Sequence, residues 1–313
     1  METRKLIKFG NSSHVISIPG TWLKKNNLNK GDLIYFEQNG DNGLVISPEK
    51  KESIKEEKEI TILTEKKDIS ILTREIVSAY LENYRILKLK GNNIQGLARE
   101  LKPRIQNLIG LEVIDQDTGI LVAKDLLDLD AVSLSDVLKR MDIIARAMLT
   151  DIGAAGKRIN PDDLNQRDEN VNRLYFLALR TIRKALDDTN LRTRLGMSNG
   201  DLLRIWHLIH HIETIADEAK YLSALIKKTT SSAKELDCFI DTLAEIEKLY
   251  IETMKSVYKK EQETAYILSQ RKDGLIKKIE KLCRASAGNL SAPYERLKNI
   301  VREIHKLGRR VYS

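Results

Sequence analysis

The stretch from Ile205 to Ile226, IWHLIHHIETIADEAKYLSALI, decides the fold of most of the chain. Ile205, Leu208, Ile212, Ile215, Ala219, Leu222 and Ile226 recur at spacings of three and four, an unbroken heptad seam. Such spacing places all seven on one side of an α-helix, and that side has to be covered by other helices.

The covering helices are legible on both sides. Leu134, Val137, Met141, Ile144, Met148 and Ile152 form one stripe, and Val171, Leu174, Ala178, Ile182 and Ala185 another. The segments are separated at Asn160-Pro161-Asp162 and at Gly196-Met197-Ser198-Asn199-Gly200, both combinations that stop one helix and start the next. Residues 131–230 are therefore expected to form a three-helix bundle. A second set of three is expected over 231–313, from Lys234 to Lys260, Glu261 to Arg284 and Ala292 to Val311. Phe239, Leu243, Ile246, Tyr250, Met254 and Val257 carry its first stripe; Leu297, Val301, Ile304, Leu307 and Val311 carry its last. No Gly or Pro marks the boundary at Lys260–Glu261.

Upstream, the period changes. Ile60 to Leu63, Ile86 to Leu89, Leu111 to Ile114 and Ile120 to Ala123 read as strands. Asp68 to Leu81 and Asn92 to Leu108 read as helices between them. The order βαβαββ over 60–130 implies a small α/β unit with helices on one sheet face, a spacer or dimer-forming module. Residues 49–59, EKKESIKEEKE, are almost entirely charged and read as a linker.

Residues 1–48 read as short strands. Leu6 to Phe9 precedes the turn Gly10-Asn11-Ser12-Ser13, and Val15 to Ile18 is stopped by Pro19. Thr21 is placed to cap a short helix over Trp22 to Asn27. Leu33 to Glu37 and Leu44 to Ile46 flank Asn39-Gly40-Asp41-Asn42-Gly43, a hairpin signal. A segment this short has too few apolar residues to cover its own sheet, so a second copy is expected to complete it.

This segment resembles the AbrB/SpoVT family through Arg4-Lys5, Gly10-Asn11-Ser12, Val15-Ile16-Ser17-Ile18-Pro19, Leu23-Lys24-Lys25 and Gly31-Asp32. The resemblance implies a swapped-hairpin barrel made by two chains, and DNA as the partner. It implies Arg4, Lys5 and Lys8 on the first strand of the DNA face, Asn11, Ser12 and His14 in the adjoining loop, and Lys24 and Lys25 on the short helix. Lysine and arginine supply phosphate attraction, whereas Asn and Ser address bases or phosphates. The net charge of residues 1–50 is modest, with seven basic and five acidic side chains, which keeps a purely dimerising module open. An antitoxin reading is weaker, because a long folded chain follows where a disordered tail would stand.

Within the helices, chemistry is confined to a few carboxylates. Asp168 lies three residues before core-facing Val171, and Glu213 and Asp217 stack one turn apart beside the seam. Trp206 and His210 extend that face. Facing carboxylates repel unless a cation or proton lies between them. Their hard oxygens suit a divalent metal or iron, with His210 as a nitrogen donor. The plainer alternative is that they solvate a helix face or pair with Arg173 and Lys220. His207, His210 and His211 place at most two rings on one face, and read as surface or cap-like residues.

The segment Arg167-Asp168-Glu169-Asn170-Val171-Asn172-Arg173-Leu174-Tyr175-Phe176-Leu177 resembles the RDxxVDRLYxL stretch of archaeal-type PhoU proteins. His211-Ile212-Glu213-Thr214-Ile215-Ala216-Asp217-Glu218-Ala219 is similar to their xLERIADHA stretch. The resemblance covers roughly 130–313 and implies a pair of three-helix bundles, metal at the Glu/Asp-xxx-Asp pairs, and negative regulation of phosphate transport. Asn172 and Glu218 depart from the usual Asp and His. In the second repeat Arg271-Lys272-Asp273 and Ile304-His305-Lys306 stand where a second pair is expected.

The combined expectation is a mainly α chain with an α+β N-terminal part: a swapped-hairpin β-barrel domain, a small α/β unit and a PhoU-like pair of bundles. Its expected role is that of a homodimeric DNA-binding regulator of phosphate uptake. The alternative is an interaction protein that docks on the phosphate ABC transporter ATPase through its basic end. From Lys259 to Ser313 there are 14 Lys/Arg against 6 Asp/Glu, which accounts for the whole formal net charge of +8. Enzymatic activity is not expected. Gly153-Ala154-Ala155-Gly156-Lys157 lacks the GxxxxGK(S/T) spacing, and neither HExxH nor GxSxG occurs. Two cysteines without CxxC spacing, no leader-like apolar run and no stretch near the ~18 residues that span a bilayer point to the cytoplasm.

Overall fold

The computed structural model describes residues 3–38, 43–49, 57–286 and 290–311. The turn Asn39-Gly40-Asp41-Asn42 and most of the charged run 49–59 lie outside the described residues. The chain divides into two units, 1–56 and 57–313.

In the first unit, β1 (Ile7–Phe9) and β2 (Ser13–Val15) form an antiparallel hairpin, followed by α1 (Gly20–Lys25), and β3 (Tyr35–Gln38) pairs antiparallel with β4 (Leu44–Ser47). Gly10 takes φ +69° in the first turn, a left-handed conformation suited to glycine. The strand expected over Val15–Ile18 instead ends at Val15. Pro19, not Thr21, occupies the cap of α1, so the helix starts earlier than its apolar pattern suggests. None of the described residues in this unit is buried within one chain, and Leu6, Ile7, Phe9, Leu33, Phe36 and Leu44 are all more than half exposed.

The second unit opens with β5 (Glu59–Leu63), α2 (Ile69–Leu81), β6 (Ile86–Lys90), α3 (Ile94–Gln106), β7 (Leu111–Gln116) and β8 (Ile120–Asp125). The sheet order is β5-β6-β8-β7, with β5 and β6 parallel and the other pairs antiparallel. Alternation along the strands turns Ile62, Leu87, Leu89, Leu121 and Ala123 into a core with Leu72, Ile76, Tyr80, Ile94, Leu101 and Ile105 of the helices. The charged run reaches only to Lys58, since β5 begins at Glu59.

The helical part comprises α4 (Leu134–Ala155), α5 (Pro161–Asp187), α6 (Thr189–Leu195), α7 (Asn199–Lys228), α8 (Ala233–Lys259), α9 (Gln262–Ser269), α10 (Arg271–Ala285) and α11 (Ser291–Arg309). Starts are capped as the sequence dictates: Asn160 caps α5 with Pro161 in its first turn, and Ser198 with Asp201 makes a capping box on α7. Every residue of the Ile205–Ile226 seam is buried. Helices α4, α5 and α7 pack on one another, α8 and α11 pack together, and α7 meets α11 while α4 meets α8. All contribute to one contiguous apolar core.

Two features depart from the sequence reading. The helix expected from Glu261 to Arg284 is two, α9 and α10, while the boundary expected at Lys260–Glu261 is present, with Lys260 at φ +56°. The short α6, ended by Gly196 at φ +63°, follows α5 before the break at 196–200. Among the described residues no helix is long and apolar enough to cross a membrane.

Candidate functional site

Three constellations carry chemistry, one in the first unit and two in the second. On the N-terminal hairpin the register pairs Lys8 with His14, while Ile7 pairs with Val15 and Phe9 with Ser13. Because successive side chains alternate, Lys8 and His14 share one face and Ile7, Phe9 and Val15 share the other. Arg4 and Lys5 lead into β1, Asn11 and Ser12 form the turn, and Lys24 and Lys25 end α1. The hairpin thus has a polar, basic face and an apolar face, and the single chain buries neither.

In the helical part the structure brings together Asp168 on α5 and Glu213 and Asp217 on α7. Between Asp168 and Asp217 stands an ammonium. Lys220 Nζ donates to Asp168 Oδ2 at 2.7 Å and to Asp217 Oδ1 at 2.5 Å. Asn172 Nδ2 donates to Asp168 Oδ2 at 3.2 Å, so the residue that departs from the PhoU-like pattern is a hydrogen-bond donor here. Burial works against the charge on Lys220, but hydrogen bonds to Asp168 and Asp217 hold its pKa above the ordinary lysine value. Burial raises the Asp168 carboxyl, against the lowering effect of Lys220.

This arrangement does not fit a resident divalent metal. Two of the three carboxylates already share the Lys220 cation, and among the described residues no group of three or more His, Cys, Asp or Glu is set to hold a metal ion. His210 corrects the sequence reading most clearly. Its ring lies 6.4 Å from that of Tyr175 and 5.6 Å from that of His211, in a different cluster from the carboxylates. Pairing with Lys220, the plainer of the two readings of these carboxylates, is the one the structure shows for Asp168 and Asp217.

Removing that cation exposes what it does. Lys220→Met is expected to destabilise the protein by about 3 kcal/mol, since Asp168, only 4% exposed, would keep an uncompensated charge. Urea denaturation checks this, and adding Asp168→Asn to the variant should restore most of the loss.

Glu213 is the third member. Burial first, then the charges of Asp217 and Asp168, push its carboxyl from the ordinary 4.5 up to about 7. The folded state therefore holds this proton more tightly than the unfolded chain does. The stability it contributes is complete below the unfolded value and is lost as pH rises from about 4.5 through about 7. Glu213→Gln should flatten the fall in melting temperature between about pH 5 and about pH 8, and should raise that temperature at the upper end.

A third cluster escapes sequence reasoning because its members are far apart in the chain. His211 on α7 donates from Nδ1 to Oε2 of Glu303 on α11 at 2.9 Å. Lys306 Nζ donates to the other Glu303 oxygen at 2.6 Å. Burial opposes ionisation of Glu303, but these two bonds hold its pKa below the ordinary value. His207 stacks near His211, with ring centres 6.3 Å apart and planes 16° from parallel. Burial, then the nearby Arg310, lowers the pKa of His207.

Residues 7–54 match the family model described as "Antidote-toxin recognition MazE, bacterial antitoxin". That match supports the AbrB/SpoVT part of the resemblance, and residues 7–54 form a MazE/AbrB-like domain. No curated protein and no solved structure matches the chain.

Proposed function

We propose that the chain is a dimeric, DNA-binding regulator, that its helical part receives the signal, and that the process it represses is phosphate uptake. The observation that carries the first claim is the two-faced hairpin. Ile7, Phe9 and Val15 need cover that one chain does not supply, and Lys8 and His14 occupy the opposite face. A second copy laid against the apolar faces would supply a core and double the cations. A paired basic surface is what a phosphate backbone rewards. Such a domain is compatible with DNA-binding regulation.

The phosphate-uptake claim rests on the PhoU-like stretches at 167–177 and 211–219 and on nothing else. Regulation without catalysis, in the cytoplasm, is the matching reading of the rest of the chain.

Binding of the full chain to duplexes from phosphate-transport promoters tests the proposal. Fluorescence anisotropy should show dimer binding that weakens steeply with added salt; no binding at low salt would remove the DNA reading. A second reading has one observation in its favour. Lys277, Lys281 and Arg284 line α10 as exposed side chains, a surface suited to an acidic partner protein such as the phosphate transporter's ATPase.

A further inference from the structure

The α7–α11 seam holds a buried imidazole nitrogen without a partner. His211 is 6% exposed, and its Nε2 makes no hydrogen bond. The tautomer follows from the neighbour. The Glu303 carboxylate can only accept, so Nδ1 of His211 carries the proton, and the tautomer with one proton on the ring then has its lone pair on Nε2. A lone pair held in a buried place without a donor is costly unless a ligand takes it.

A carboxylate bonded to one nitrogen of a histidine is the arrangement that orients histidines toward metal ions. Lys306 keeps Glu303 in that supporting role, because its ammonium occupies the second carboxylate oxygen. His207 stands one helical turn before His211, on the same face, and is half-buried. Two imidazoles bound to one ion at about 2.0–2.1 Å have ring centres roughly 5–6 Å apart, close to the 6.3 Å seen here. Sharing one ion therefore requires His207 to rotate toward His211.

We propose that His207 and His211 form a site for a divalent transition metal of the zinc–copper class, with Glu303 as the residue that positions His211. Imidazole pairs select that class over Mg²⁺, Ca²⁺ or Mn²⁺. The nearby Arg310 and Lys306 oppose an added cation, which further restricts the site to ions with high intrinsic affinity for nitrogen. Water completes the coordination. The site is separate from the carboxylates around Lys220 and independent of the DNA reading.

The test uses the full chain freed of metal by chelation. Titration with Zn²⁺ by calorimetry and with Cu²⁺ by electron paramagnetic resonance should each give one ion per chain, the latter with hyperfine structure from two imidazole nitrogens. His207→Ala should remove one nitrogen from the spectrum and weaken binding by about tenfold or more, and Glu303→Gln should weaken it by about 10–100-fold. His210→Ala, His14→Ala and Asp168→Asn should leave binding within about twofold of the parent, far less than loss of a ligand or its orienting partner causes. Binding retained in His207→Ala with an unchanged nitrogen count, lost in His210→Ala, or displaced by Mg²⁺ would overturn the assignment. His207 is half-buried, so this variant is expected to fold, and circular dichroism verifies it.

Discussion

Replacing Arg180 by Met is expected to destabilise the 57–313 unit by about 3–5 kcal/mol, read from urea denaturation. Arg180 is 1% exposed on α5 and donates from Nη2 to Oδ2 of the fully buried Asp125 at the end of β8, at 2.6 Å. Its guanidinium lies 4.1 Å from the centre of the Tyr80 ring, and its Nε donates to Asn83 Oδ1 at 3.3 Å. Without it Asp125 keeps only the Leu127 amide at 3.1 Å and the more distant Arg85 at 3.5 Å. A carboxylate left in that position costs far more than a surface charge, because solvent does not reach it. Arg180→Lys should rescue little, since an ammonium cannot both fork toward Asp125 and lie flat on Tyr80. Adding Asp125→Asn to Arg180→Met should recover much of the loss; failure to do so would show that the stacking on Tyr80, and not the ion pair, dominates.

The second large effect is expected on DNA affinity. Changing Arg4, Lys5, Lys24 and Lys25 to Gln removes four cations from each chain and eight from a dimer. If all eight lie against phosphates, the logarithmic dependence of affinity on salt should become shallower by about 7, at about 0.9 per contact. Anisotropy titrations over a range of salt concentrations measure that slope. The fold should be unaffected, because all four residues are exposed in a unit where no described residue is buried within one chain. A slope that does not change would move the functional surface away from this domain and toward α10. Loss of affinity at every sequence tested, with the same ratio between promoter and random duplex, would assign these residues to backbone attraction and leave base reading to Asn11 and Ser12.

Periodicity made the helices and the βαβαββ order readable. The Ile205–Ile226 seam is buried as its spacing requires, because a helix with seven apolar side chains on one side has no other stable arrangement. What periodicity could not supply were events that depend on partners distant in sequence. Arg180 and Asp125 are 55 positions apart, and His211 and Glu303 are 92 apart. The only local hint for Arg180 is a charge following apolar Phe176 and Leu177 by one helical turn. The boundary at Lys260–Glu261 was legible without a glycine or proline to mark it, and Lys260 there takes φ +56°. For the carboxylates, the plainer reading, pairing with Lys220, is what the structure shows at Asp168 and Asp217. In the N-terminal segment the strands were legible apart from the end of the second, and their apolar side is exposed in one chain.

The continuous interior that runs from α4 to α11 has a bearing on how a message would travel through this part of the molecule. Helix sets with separate interiors melt and respond one at a time, whereas a common interior makes them a single cooperative block. Heating the protein should then give one endotherm for all of these helices, and an ion held by His207 and His211 of α7 should raise that transition as a whole. These helices are then expected to respond together rather than one at a time.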